Sequence, residues 1–339
     1  MGITAERVVF PRAGEVAVES FELPEPGPYG LLLRTERTAI SAGTELTTLL
    51  GDNPRTRYPA YPGYSHVGVV ERVGERIEGF RPGDRVLSMG RHQSHVLLDL
   101  TPTRPGGPEY AEPVPDGLAA ELAALAILGS VSLHGVRRAE LQLGQSVAVF
   151  GQGIVGQLIV QLAKAAGCSP VVAIDLVAPR LEEARLSGAD AVVDASRDDV
   201  EASVASATGG RGAEAVFDAT RTPKTLPVMM RVAAMGGKVL MVGSVMGTVE
   251  IDAFTELQLK ELSIVGCFQP AAPLEPHHFL PWTQRRNRRV FMELTARGRV
   301  RLEHLITHRV PYRQAPEIYA MIRRGGSDWL GVVFTWDER

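Results

Sequence analysis

Residues 147–156 read VAVFGQGIVG. A short apolar run passes straight into three glycines, Gly151, Gly153 and Gly156, and the stretch beyond them, IVGQLIVQLAKAAG, has the apolar spacing of a helix. Three glycines at this spacing are a weak signal alone and an informative one between a strand and a helix. Gly151 permits the tight turn, Gly153 lets the backbone come close to a bound group, and Gly156 lets strand and helix pack closely. Ile154 and Val155 open the helix, whose first N–H groups have no partner within it. That positive end suits a pyrophosphate. The frame commits this part of the chain to a strand–helix–strand unit of a parallel sheet.

The next strand, VVAID, ends in Asp175, nineteen residues after Gly156. A carboxylate there accepts hydrogen bonds from the adenosine ribose hydroxyls and repels a 2′-phosphate, so NAD(H) is expected over NADP(H). Arg180 lies five residues on, inside a helical pattern, and reads as a solvated helix face. Further apolar runs follow in AVVDA, EAVFDA, KVLMVG and LSIVG, with helical segments between them. Six such runs predict an α/β fold with a doubly wound six-stranded parallel sheet, and their unbroken apolar character fits burial on both faces. Thr220, Gly243, Ser244 and Cys267 all fall at predicted carboxyl ends of strands, where ligands bind in such sheets.

The first hundred residues differ. They are rich in Pro and Gly and hold short β-like runs: RVVFP, EVAVESFEL, GLLLRTERTAI, HVGVVERV, DRVLSM and HVLLDL. After Gly266 the pattern loosens, with a helix expected within PHHFLPWTQRRNRRVFMELTARGRV and a closing strand in WLGVVFTW. A β-rich opening, a nucleotide-type middle and a mixed tail predict one domain inserted into another. The expected boundaries are 1–125 with 270–339 for the β-rich domain and 126–269 for the sheet domain.

A net charge of −3 provides no footprint for nucleic acid and no polybasic tract for a membrane surface. Two cysteines, Cys168 and Cys267, exclude a disulfide framework and a structural zinc of the C-x-x-C kind. No apolar run approaches the roughly 18 residues of a membrane span, and the N-terminus lacks the layout of a signal peptide. A cytoplasmic protein with a small-molecule substrate is expected.

The order VPDGLAAELAAL, LHGVRRAELQLGQSVAVFGQGIVG, VVAIDLVAPRLEEARLSGAD, GGKVLMVG and ITHRVPYRQAPEIYAMI resembles the medium-chain dehydrogenase/reductase superfamily over essentially the whole chain. The resemblance implies a GroES-like catalytic domain, completed by the tail, around a Rossmann domain, and a homodimer or homotetramer, with Rossmann sheet edges as the expected contact. Many members carry a catalytic zinc. Where their ligand motifs resemble C-G-T-D and G-H-E, this chain has Ala42-Gly43-Thr44-Glu45 and Gly63-Tyr64-Ser65, and Ile127 stands where an acid often does. Alanine, tyrosine and isoleucine do not ligate zinc. An enzyme without zinc is therefore expected, and the signatures SAGTE and PGYSHVG are similar to the zinc-free branch related to hydroxyethyl-bacteriochlorophyllide dehydrogenases.

Hydride transfer to a carbonyl leaves charge on oxygen, so without a metal a donor must hold that oxygen and deliver a proton. Thr44 matches, by the resemblance, the hydroxyl that relays protons in zinc-bearing relatives; the competing reading is a hydroxyl that caps the helix ELTTLL. Tyr64 occupies a former ligand position and is either a donor or a space-filler. His66 titrates near neutrality, and strand alternation puts it on the same face as Tyr64; the competing reading is a packed, hydrogen-bonded ring. Ser65, His277, His278 and Trp282 are candidates for the substrate wall. Glu45 is expected to orient a neighbour or meet an arginine, and His134 to be structural. Arg285, Arg288 and Arg289 have helical spacing and read first as a solvated face, second as a site for an anionic substrate. The expected activity is hydride exchange between NAD(H) and a secondary alcohol or ketone, with a place in specialised metabolism. The alternatives are an enoyl or quinone reductase, and a non-catalytic NAD(H)-binding protein.

Overall fold

The computed structural model describes residues 2–102, 109–276, 278 and 281–336. It divides into two compact units, Met1–Ile127 with Ile306–Gly325 and Gly331–Arg339, and Leu128–Leu305 with Gly326–Leu330.

The β-rich unit begins with β1 (Ile3–Val9) and β2 (Ala17–Leu23), an antiparallel pair. Then come β3 (Gly30–Ala39), α1 (Ala42–Leu50), β4 (His66–Val73), β5 (Arg85–Ser88), β6 (His95–Asp99), β7 (Ala111–Pro113) and the short α2 (Ala120–Ala124). Alternation on these strands buries one face: Leu31, Leu33, Val70, Val86, Val96 and Leu98 form one core cluster. Each such buried leucine or valine contributes about 1.5–3 kcal/mol.

The second unit starts within α3 (Ala126–Ala139) and alternates strictly: β8 (Val147–Phe150), α4 (Ile154–Ala165), β9 (Val171–Asp175), α5 (Ala178–Leu186), β10 (Ala191–Asp194), α6 (Val200–Ala207), β11 (Ala213–Asp218), α7 (Leu226–Val232), β12 (Ala233–Met241) and β13 (Ser263–Gly266). The six strands are ordered β10-β9-β8-β11-β12-β13, and every pairing is parallel. The first crossing of the sheet runs outward from β8 one way and the second the other, so the strand order reverses between β8 and β11. All four residues of β8 are buried, as a sheet covered on both faces requires. The helical stretch that leads into the sheet is two helices, α2 and α3, separated at Leu125.

The helix α8 (Gln284–Ala296) corrects the expected boundary. The pattern places residues 270–305 in the β-rich domain, yet the described ones among them belong to the second unit. Phe291 of α8 is fully buried, and a Cβ at Gly129 of α3 would lie 2.3 Å from its ring. Arg301 closes the contact, its N–H donating to Gln161 of α4 at 2.7 Å. The apolar face of α8 is evident in the sequence; which unit it covers is not.

The tail then returns to the β-rich unit as β14 (Ile306–Pro311), α9 (Ala315–Arg324) and β15 (Gly331–Thr335). β15 pairs antiparallel with β3, Val333 opposite Ala39, and completes a seven-stranded sheet ordered β14-β15-β3-β4-β5-β7 with β6 also on β3. Among the described residues no helix is long and apolar enough to cross a membrane.

Candidate active site

In the Rossmann unit the glycine turn follows β8 as its residue types demand. Gly151 has φ +86°, a left-handed conformation that other side chains resist. A Cβ on Gly156 would fall 1.8 Å from the Gly151 carbonyl oxygen, so only glycine lets α4 start so close to the strand. A Cβ on Gly153 would meet nothing within 4 Å, leaving its outer side open to a ligand. Gly153 is also the N-cap of α4 and supplies no side-chain cap, so the first N–H groups of the helix remain to be satisfied. Ile154 is buried and Val155 half-buried at the helix start.

Asp175 ends β9 beside this turn. Its Oδ2 accepts the Gln152 N–H at 2.5 Å and its Oδ1 the Val177 N–H at 2.9 Å. The carboxylate thus braces the glycine loop and, with about four acceptor positions in all, keeps capacity for two ribose hydroxyls. Arg180 is not the solvated face predicted for it. It is half-buried, its guanidinium lies 5.1 Å from the Trp329 ring centroid, and its carbonyl accepts from Gln157. Across the reversal of strand order, Gly151 packs on Ala219 and Thr220. Thr220 Oγ1 donates to Asp218 Oδ1 at 2.7 Å, and Gly243 comes so close that a Cβ there would lie 2.1 Å from the Thr220 oxygen. Ser244 is exposed beside it. Cys267 is buried, and burial pushes its thiol up to about 11, so it lines the strand end as an inert group. Together these loops occupy one edge of one sheet at the reversal point, the place where open α/β sheets bind ligands.

The β-rich unit holds the other candidates. Ser41 precedes α1 as its N-cap, but its hydroxyl does no capping. Its backbone N–H is instead satisfied by Glu45 Oε1 at 2.8 Å, a reach-back from one turn inside the helix. The freed hydroxyl accepts the Tyr64 O–H at 2.5 Å and donates to Thr44 Oγ1 at 3.4 Å. Thr44 sits inside α1 and is exposed, so it does not cap the helix. Burial, and secondarily the charge of Glu45, raise the Tyr64 pKa and keep it a phenol. The result is a directed chain of three hydroxyls from half-buried Tyr64 to exposed Thr44. Ser41 was missed in the sequence, although its position one residue before Ala42 was the available signal.

Behind this chain lies a buried network. Glu45 is 2% exposed and His92 fully buried. His92 Nε2 donates to Glu45 Oε2 at 3.1 Å, and Tyr319 O–H donates to the same oxygen. With Nε2 as donor, His92 Nδ1 accepts from Thr38 Oγ1 at 2.8 Å, and Trp336 Nε1 donates to that hydroxyl at 3.0 Å. Burial acts to raise the Glu45 pKa, but His92, Tyr319 and the Ser41 N–H together hold it below the usual carboxylate range. Tyr319 is pushed well above its usual value by burial and by Glu45. Gly63, at φ +91°, leaves room for the His92 ring, since a Cβ there would lie 2.8 Å from its Cγ. One buried pair therefore fixes both Ser41, through its N–H, and the turn that carries Tyr64.

His66 and Ser65 do not join the chain. The strand begins at His66, with Tyr64 outside it, so the expected shared face is lost. His66 is fully buried, with Nε2 3.0 Å from Thr35 Oγ1 and Nδ1 2.7 Å from Ser88 Oγ. Burial, with a smaller contribution from His92, lowers its pKa to about 3. It is a packed ring, not an acid or base at neutral pH. Ser65 is also fully buried and donates to the Ala124 carbonyl at 2.7 Å, a structural bond rather than a substrate contact. Trp282 is covered by two guanidiniums, so its ring faces are not a pocket wall. His278 is exposed, His277 lies outside the described residues, and His134 is half-buried with a pKa lowered by burial and by Arg138.

The donor set does not fit a catalytic zinc. Ala42 and the buried Ile127 present no ligand atom, both oxygens of Glu45 are engaged, and both nitrogens of His66 are engaged. Among the described residues no three His, Cys, Asp or Glu side chains converge.

Comparison with known proteins bears on the whole chain. Residues 27–125 match the alcohol dehydrogenase GroES-like domain, and residues 155–284 match the zinc-binding dehydrogenase domain. Human sorbitol dehydrogenase is 27% identical over 341 residues, covering 92% of this chain and 91% of its own. A Sinorhizobium meliloti protein described as a candidate zinc-binding dehydrogenase, solved bound to NADP, superposes with a TM-score of 0.83 at 24% identity over 98% of this chain and 99% of its own. An Escherichia coli protein described as a short chain alcohol dehydrogenase, solved with NADH, gives 0.83 at 19% identity over 98% and 99%. These two likenesses show a common fold. With a GroES-like unit completed by its own tail and a six-stranded Rossmann unit, each matched in the same order, the chain belongs to the medium-chain dehydrogenase/reductase superfamily.

Proposed function

We propose that the protein is a zinc-independent dehydrogenase that exchanges a hydride between NAD(H) and a secondary alcohol or ketone, including the polyol class on which its sorbitol dehydrogenase relative acts. The observation that carries this reading is the hydroxyl chain Tyr64–Ser41–Thr44, with Tyr64 in a motif position where zinc-bearing relatives hold a ligand. NAD(H), when bound, supplies or accepts the hydride. The Gly151–Gly156 turn and the N-terminus of α4 would hold its pyrophosphate, and Asp175 its ribose hydroxyls. The carboxylate at 175 favours NAD(H) over NADP(H), since it repels a 2′-phosphate. Tyr64, kept protonated by burial, donates to the carbonyl oxygen as charge develops there once its O–H turns away from Ser41, and Ser41 and Thr44, their O–H bonds turned the same way, pass a replacement proton inward from the surface. In the alcohol-oxidising direction the same path runs outward. The hydroxyl chain does by hydrogen bonding what a Lewis acid does elsewhere, and no step uses a metal. The similarity of SAGTE and PGYSHVG supports placement in the zinc-free branch named above and a role in specialised metabolism. The edge strand β13, with exposed Ser263 and Ile264, supports a homo-oligomer joined through sheet edges.

The test is Tyr64→Phe assayed with NADH against a panel of ketones and with NAD+ against polyols and secondary alcohols. Turnover should fall while NADH affinity, read by fluorescence titration, stays nearly unchanged. Undiminished turnover would assign the tyrosine to space-filling and sink the reading.

A further inference from the structure

The hydroxyl chain is local in sequence, but its support reaches it from the tail. Tyr319 lies on α9 and is fully buried. Its ring meets Phe10 edge-on, with centroids 5.1 Å apart, and lies 6.3 Å from the Phe334 ring. A phenylalanine would make the same ring contacts. What it would lack is the O–H, which donates to Glu45 Oε2.

Glu45 faces three titratable groups from other elements: His92 from the loop before β6, Tyr319 from α9, and Tyr64 from the turn before β4. His66 lies close enough to His92 to feel its charge. Burial opposes the Glu45 charge, while His92, Tyr319 and the Ser41 N–H hold it. That charge has a use one bond further on. Ser41 is the N-cap of α1, where a serine hydroxyl ordinarily turns onto the N–H groups of the helix. Here the hydroxyl makes no cap. Glu45 Oε1 holds the Ser41 N–H at 2.8 Å, and the hydroxyl meets Tyr64. A bond to an ionised acceptor is about twice as strong as one to a neutral acceptor, so Glu45 grips Ser41 firmly only as a carboxylate.

We propose that Tyr319 is a positioning residue for the hydroxyl chain, its O–H holding Glu45 so that Glu45 keeps the Ser41 hydroxyl on Tyr64 and off the helix. The proposal rests on the role given above to that chain. Removing the Tyr319 O–H leaves burial opposed by fewer donors, and the Glu45 pKa rises. Its carboxylate is present above that pKa and lost as pH falls through it. The grip on Ser41, and turnover with it, is then lost at a higher pH than in the unaltered chain.

The experiment compares pH profiles of kcat for ketone reduction with NADH in the unaltered chain, Tyr319→Phe, Glu45→Gln and the double variant, with the melting temperature measured at each pH. Tyr319→Phe should lower kcat about tenfold through a misplaced hydroxyl, with little change in KM for the ketone. The acid-side fall of its profile should move to higher pH. Glu45→Gln keeps an acceptor for the Ser41 N–H and does not titrate, so that movement should be absent from the double variant. A tyrosine that only packs would lower the melting temperature and leave the profile in place. That result, or a movement that persists in the double variant, would overturn the proposal. If Tyr64→Phe slows turnover and Tyr319→Phe does not, the positioning role falls and the hydroxyl chain stands; if Tyr64→Phe leaves turnover unchanged, both fall.

Discussion

The glycine turn after β8 and the hydroxyl chain beside α1 are built in opposite ways. The first is a backbone site. Its geometry depends on three residues lacking a Cβ and one carboxylate nineteen positions on, all local in sequence. The second is a side-chain site. Its hydroxyls are held by Glu45, which is held by His92 and Tyr319 at separations of 47 and 274 residues. Backbone sites announce themselves through spacing, because only glycine tolerates the contact. Side-chain sites depend on what the fold later brings together.

That contrast can be broken experimentally, most severely at the turn. Gly156→Ala places a methyl 1.8 Å from a carbonyl oxygen and should cost about 3 kcal/mol in the bound loop conformation. NADH affinity should fall about a hundredfold, as read by fluorescence titration; an unaltered affinity would mean that the loop does not bind the cofactor. At the hydroxyl chain, Tyr64→Phe should slow the chemical step by about a hundredfold with NADH binding intact, measured in single-turnover mixing.

His66 sharpens the comparison through pH. Its folded pKa of about 3 lies below its ordinary 6.5, so the unfolded chain binds the proton first. Stability is therefore complete above pH 6.5 and drains away as pH falls toward 3. Each unit in that window costs about 1.4 kcal/mol, or about 2 kcal/mol from pH 7 to 5. Urea unfolding at the two values should show this loss, and His66→Gln should reduce it. A pH-independent difference between the two proteins would mean that His66 titrates normally. Of similar or smaller size, Gly129→Ala should destabilise the Rossmann unit by about 1–3 kcal/mol through Phe291, lowering the melting temperature. An unchanged melting temperature would contradict the packing of α8 on α3.

Much of the fold was legible in the sequence. The six parallel strands and the short β-runs follow from apolar period and turn residues, and the wrapped order of the domains from composition alone. The boundary at 270 was not, since α8 shows an amphipathic face but not its partner. Within the site, Tyr64 was visible as a polar residue in a ligand position and Thr44 as the hydroxyl beside it. His66 was misplaced because alternation relates residues only within a strand, and β4 starts at His66 with Tyr64 outside it. Arg180 was misjudged because Trp329, which it packs against, comes from the far end of the chain. Ser41 gained its role only once Glu45 had taken over the capping of its N–H.

The central claim is that hydroxyls, not a metal, hold the developing charge. It is tested most directly by measuring zinc in the purified, catalytically active protein by inductively coupled plasma mass spectrometry. The account predicts no stoichiometric zinc. One equivalent of zinc per active chain would contradict it.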